Sequence, residues 1–344
     1  MTIQDTLRSL ELPALGERQA MLDLLEENVF GPVPAAVPVR AERLALWSDA
    51  YAGKAAHEQL LLHLALPDGD FAFPLHLVTP YAPAKALLLH LSFDPEMPNQ
   101  YCLAEEIVDH GYAICQLCYT QVTSDDQDGE NGLAAHFIGK DFADRKTSKI
   151  SLWAFAASRV IDYLKTLEPL KNLPIVLIGH SRLGKTALWC SANDPRVDVC
   201  YANESGCTGA ALSRGKQGET VADIYRVFPH WFVPAYERYA GREASMPFDQ
   251  HFLLALTAPR PLYCASAIGD LWAWPKNEFL GLCAASPAFG QGFAFSPEEE
   301  LPSFEAPFCR QEGGVGYHLR AGAHFLSRED YNRFYPWLER RLGL

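Results

Sequence analysis

Apolar and polar positions change rhythm along this chain, and each rhythm predicts a different element. Over residues 17–30, Met21, Leu24, Leu25 and Val29 share one helical face, and the helix is expected to end before Gly31-Pro32. Residues 37–47, 57–66 and 71–79 then alternate with a period of two between Gly, Pro and Asp turns, the pattern of an antiparallel meander with Asp68-Gly69 as its hairpin signal. Residues 86–92 and 112–118 are compact apolar runs around a predicted helix at 103–109. From there strands and helices alternate. Residues 149–167 carry Leu152, Phe155, Ala156, Val160, Tyr163 and Leu164 at helical spacing, and 175–178, 197–202 and 260–267 read as buried strands. A last amphipathic helix is expected around 331–342.

This pattern predicts an α/β fold, a mostly parallel sheet covered on both faces, with the antiparallel meander at its N-terminal side. One domain over 1–344 is expected, with residues 1–80 forming the N-terminal helix and strands. Residues 215–247 hold Tyr225, Phe228, His230, Trp231, Phe232, Tyr236 and Tyr239 and read as an insertion packed over or beside a site.

Charge narrows the partners. Over 344 residues the formal charge is -13, with no basic stripe, which argues against nucleic acid or an anionic membrane. No segment is long and apolar enough to span a bilayer, and residues 1–15 include Asp5 and Glu11 where a secretory leader needs a basic start and an apolar run, so a cytoplasmic location is expected. The nine cysteines are scattered, and Cys115 and Cys118 lie mid-strand; reduced core thiols are expected rather than a metal or redox pair. The acidic stretch 123–131 departs from calcium-loop spacing and is read as a solvated loop near the site, so neither metal nor cofactor is expected.

The candidate chemistry centres on Ser181. The run Ile175–Ile178 meets a turn, Gly179-His180-Ser181, before Leu183, Thr186, Ala187 and Leu188 resume at helical spacing. A serine at such a corner points its hydroxyl away from the sheet, beside backbone N–H groups able to stabilise an oxyanion. The glycine that usually follows two residues after the serine comes one position late, at Gly184. A serine nucleophile needs a base and an orienting acid. His324, in a glycine-containing loop before the last helix, suits the base better than His318, whose surroundings alternate like a strand. Glu204 and Asp270 each follow a predicted strand at the same sheet edge, and both remain open as the acid.

The segments G-H-S-R-L-G-K, N-E-S-G-C-T-G-A-A-L-S-R, F-P-H-W-F, D-Q-H-F-L-L-A-L-T-A-P-R-P-L-Y and G-Y-H-L-R-A-G-A-H, in this order, resemble the glucuronoyl methylesterases of carbohydrate esterase family 15, most closely their bacterial branch. The likeness runs from about residue 151 to the end, and more faintly through E-E-N-V-F-G-P-V-P. It implies an α/β-hydrolase three-layer sandwich and a cofactor-free serine esterase acting on a carbohydrate ester. Ser181 would be the nucleophile, His324 the base, Glu204 the usual acid and Asp270 an alternative one. Arg182 would give an oxyanion contact, Lys185 and Glu219 would touch the uronate sugar, and Trp272 would flank it. The segment 90–99 lacks the glycine- and asparagine-rich turn of secreted members, and Trp274-Pro275 stands where an acidic-proline pair is usual. A deacetylase of xylan-like sugars and a non-catalytic carbohydrate-binding member are the alternatives. The sequence does not fix an oligomeric state.

Overall fold

The apolar runs are unbroken because both of their faces are covered. The computed structural model describes residues 1–344 other than 291, 292, 294 and 297. The strands are β1 (Val39–Asp49), β2 (Ala55–Leu66), β3 (Gly69–Pro80), β4 (Leu87–Ser92), β5 (Ala113–Cys118), β6 (Ile175–His180), β7 (Val199–Asn203), β8 (Leu262–Ala267), β9 (Phe308–Arg310) and β10 (Val315–Arg320). Among the described residues they form one sheet in the order β1-β2-β3-β5-β4-β6-β7-β8-β10-β9. From β5 through β10 the neighbours are parallel, whereas β1–β3, the β3–β5 pair and β9 are antiparallel.

Alternate residues of each parallel strand enter different cores. Leu87, Leu89, Cys115 and Leu177 pack with Leu152, Phe155 and Val160 of the helix Lys149–Leu164. Leu88, Ile114, Val176 and Ile178 pack on the other side with Ile107 and with Phe334 and Trp337 of the helix Arg328–Leu342. This is the three-layer α/β-hydrolase arrangement. Each fully buried large aliphatic side chain contributes about 1.5–3 kcal/mol, which keeps the strand ends in fixed register. Strand order reverses around β4, which places a crevice outside the carboxyl ends of β4 and β6.

The expected meander is present, with one shift. Leu66 pairs with Gly69, so the two-residue turn is Pro67-Asp68 and Gly69 opens β3. The first predicted amphipathic helix (Arg18–Leu25) closes in a π turn, Glu26–Phe30, whose last partner is the Gly31 N–H donating to Glu26 O at 2.9 Å. The short β9 was not expected, since three residues carry too little pattern to read. Cys115 and Cys118 are free, buried thiols. Among the described residues no helix is long and apolar enough to cross a membrane.

Candidate active site

The run β6 leads into the helix Arg182–Asn193, and Ser181 sits between them at φ 57° and ψ −125°, a left-handed conformation costly for a residue with a Cβ. Two glycines allow the corner. A Cβ on Gly179 would fall 2.0 Å from Leu183 O, and one on Gly184 would fall 2.9 Å from the Ser205 Cβ. The late glycine is therefore required where the helix crosses the end of β7 rather than within the turn itself. The Ser181 N–H donates to Asn203 O (2.9 Å), tying the corner to β7, while the Arg182 N–H opens a helix and has no intrahelical acceptor.

Ser181, Arg182, Lys185, Glu204, Glu219, Asp270, Trp272 and His324, the residues given catalytic or sugar-contact roles from the sequence, line one cavity of about 320 Å³. His324 comes from the loop after β10. Its Nδ1 lies 2.6 Å from Asp270 Oδ2 and 3.1 Å from Glu204 Oε2, so both candidate acids reach the same nitrogen. Among the described residues Nε2 of His324 and the Ser181 hydroxyl have no hydrogen-bond partner, an open arrangement common before substrate binds. Donor atoms of Glu204, Asp270 and His324 lie within 4.8 Å of one another, but they face each other as imidazole against carboxyl groups.

The two acids differ in their remaining partners. Glu204, itself at φ 45°, accepts from Arg320 Nη2 (2.5 Å) and from the Phe325 N–H (3.1 Å). Besides the imidazole, Asp270 accepts the Ala273 N–H (3.1 Å). Burial pushes the Glu204 carboxyl up to about 8, against the pull of His324 and Arg320. Burial is the largest single influence on Asp270 too, but the hydrogen bond and charge of His324, with the Ala273 N–H, together outweigh it and hold Asp270 below its usual range. For His324 burial is likewise overcome, by Asp270 and then Glu204, and its pKa rises to about 9. Two like charges in one pocket separate in this way, one carboxyl raised and one ionised.

Arg320 was not singled out from the sequence. Buried in β10, it bonds Asp330 twice at 2.8 Å and the carbonyls of Ala321, Ala323 and Phe325, so it clamps the loop that carries His324. His318 is a core residue between Tyr263 (2.8 Å) and Asp330 (2.9 Å), away from the cavity. The His180 ring lies 4.4 Å from the His324 ring, tilted by 41°, and burial lowers its pKa to about 3, so it stays neutral beside the serine.

On the other side of Ser181, Arg182 bonds Asp125 and lies under Trp231 (4.7 Å to the ring centre), Phe228 (5.3 Å) and Phe93 (5.7 Å). The aromatic insertion thus reaches the cavity through Phe228 and Trp231. The loop 123–131 is not simply solvated: Asp125 is largely buried and is a site neighbour that sequence reasoning missed. Lys185 is buried, not a surface charge; its Nζ donates to Ser205 O at 2.6 Å, and desolvation lowers its pKa. The Glu219 N–H donates to Trp272 O (3.0 Å), and Trp272, 57% exposed, stands open at the rim instead of packing.

Residues 100–289 match the family model described as glucuronyl esterase, fungi. Carbohydrate esterase MZ0003, from an unknown prokaryotic organism, is 35% identical over 242 residues, 69% of this chain and 55% of that protein. The 4-O-methyl-glucuronoyl methylesterase 1 of Wolfiporia cocos is 31% identical over 180 residues, 48% of this chain and 44% of that protein. The matches thus span about half the length of these curated relatives. The solved glucuronoyl esterase from Solibacter usitatus superposes with a TM-score of 0.85 at 30% identity, covering 96% of this chain and 97% of that one. With the motifs in order and the fold shared over nearly its whole length, the chain belongs to the glucuronoyl esterase family, carbohydrate esterase family 15.

Proposed function

We propose that this chain hydrolyses esters of a glucuronic acid residue through a covalent Ser181 intermediate. The observation that carries the reading is the strained Ser181 corner sharing one cavity with a carboxylate-bound His324. His324 Nε2 takes the Ser181 proton as Oγ bonds to the ester carbon, and the carbonyl oxygen becomes an oxyanion facing the Arg182 guanidinium and N–H. The imidazolium then gives its proton to the departing alcohol as the C–O bond breaks. Water, deprotonated by the same imidazole, attacks the acyl-enzyme and restores the serine. The uronic acid is the acyl half, its hydroxyls toward Lys185 and Glu219 and its ring beside Trp272.

Hydrolysis of benzyl glucuronate beside a small acetyl ester, with Ser181→Ala as blank, tests this. A preference for the uronate ester and a loss on the order of 10⁴-fold or more in the variant are expected, as for a nucleophile removed from a working triad. Full activity in Ser181→Ala sinks the mechanism. A preference for acetate would keep the serine chemistry and remove the sugar-acid contacts.

A further inference from the structure

The acidic loop after β5 is built around one carboxylate. Lys149, its side chain wholly buried, donates from Nζ to Ser124 O (2.7 Å), Ser124 Oγ (3.0 Å) and Asp126 Oδ1 (3.1 Å). Thr123 Oγ1 donates to Asn131 O (2.7 Å) and the Ser124 N–H to Asn131 Oδ1 (2.9 Å), closing the loop on itself. Between these ties stands Asp125. Its Oδ1 accepts from His230 Nε2 (2.9 Å) and Trp231 Nε1 (2.6 Å), and its Oδ2 accepts from Tyr119 OH (3.0 Å) and from Arg182 Nη1.

We propose that Asp125 is a positioning residue for the hydrolysis: it anchors the Arg182 guanidinium by Nη1 beside Ser181, so that Nη2 is left to face the oxyanion. The inference rests on the reading of Ser181 and Arg182 given above. Only a carboxylate answers this set of donors, because an ionised Asp offers about four lone-pair sites and no hydrogen, whereas an amide would turn two hydrogens toward other donors. Burial opposes ionisation of Asp125, but His230, Arg182 and Trp231 together hold it well below the usual carboxylate range, so the anchor persists through the working pH. The remaining guanidinium N–H groups of Arg182 have no acceptor among the described residues. Freed from Asp125, a long arginine side chain would exchange this one pose for many, and an oxyanion donor acts only when it is already in place.

A double-mutant cycle tests the proposal. Asp125→Ala and Arg182→Ala should each lower kcat by about 10²–10³-fold with KM changed little, the scale of one lost oxyanion donor. Their combination should fall within about threefold of Arg182→Ala alone, because the two act as one unit. Wild-type kcat in Asp125→Ala, or losses that multiply in the double variant, would overturn it. If Asp125→Ala melts at room temperature, the same cycle is run with Asp125→Asn, and a folded Asp125→Asn with wild-type kcat overturns the proposal equally. All rates are read on p-nitrophenyl acetate as well as benzyl glucuronate, so a chain that spares uronates sinks the substrate reading while the cycle still decides Asp125. Should neither ester turn over, labelling of Ser181 by a p-nitrophenyl phosphonate replaces turnover in the cycle, and a wild type that does not label overturns both readings.

Discussion

Two ion networks flank Ser181, and they are built on opposite plans. On one side a single imidazole, His324, meets two carboxyl groups; on the other a single carboxylate, Asp125, meets a ring of donors from Tyr119, Arg182, His230 and Trp231. The first plan has reserve, since either acid reaches Nδ1, but it buries two carboxyl groups side by side and sets Arg320 behind them. The second has no reserve, because every donor converges on one residue. On the proposed reading, the difference teaches that the base is held by charge balance and the oxyanion side by hydrogen-bond geometry.

The sharpest way to break this contrast is to remove the closer acid. Asp270→Asn should lower kcat by roughly 10³-fold, less than the ~10⁴-fold of a triad acid with no second carboxyl beside it, because Glu204 still reaches Nδ1. With His324 raised to about 9, kcat/KM of the wild type should climb with pH toward that value, since only the neutral imidazole accepts the serine proton. Losing the Asp270 anion favours the neutral imidazole, so the acid limb in Asp270→Asn should move to lower pH. A limb that stays in place would mean that Asp270 does not set the His324 charge.

Charge balance can be tested from behind. Arg320→Met strips the cation from Glu204 and Asp330, both buried, and should cost about 3–5 kcal/mol in urea unfolding, the range for a broken buried pair. Unchanged stability would show that the clamp on the His324 loop is ornamental.

The mildest change should come from Glu204→Gln, about tenfold or less in kcat at pH 7, because below about 8 the buried carboxyl holds its proton and glutamine imitates that form. The loss should grow as pH rises through 8. A deficit as deep as that of Asp270→Asn at every pH would make the two acids equal partners and end the idea of a reserve.

Much of this was legible beforehand, for physical reasons that also explain what was not. The covered strands β4, β6 and β8 announce themselves because two buried faces demand continuous apolar residues. Ser181 was legible as a corner, His324 as a loop residue before the last helix, and Glu204 and Asp270 as residues delivered at strand ends, but the choice between the acids needed the resemblance, since spacing cannot tell a working acid from a cap. Asp125 was illegible. An isolated run of acidic residues looks like a solvated loop, and three of the four partners of Asp125 lie 57, 105 and 106 residues away, so only the tertiary fold reveals that a buried Lys149 tethers the loop. Arg320 was hidden in the same way, as one polar residue at the end of an alternating strand. Asp68-Gly69 pointed to the right hairpin, but register with β3 was decided by packing along the whole meander.

The Asp125 network also sets a rule for redesign. Two loops meet behind Arg182: 228–232 lines the cavity through Phe228 and Trp231, and 119–131 backs the arginine through Asp125, so both are natural places to graft or randomise when a different leaving alcohol is wanted. They are coupled through one carboxylate: exchanging the first loop without Asp125, or the second without His230 and Trp231, leaves the other loop's partners unmatched. A library that treats them as one cassette keeps the arginine in place; one that shuffles them separately would lose turnover in most members before any new specificity could be seen.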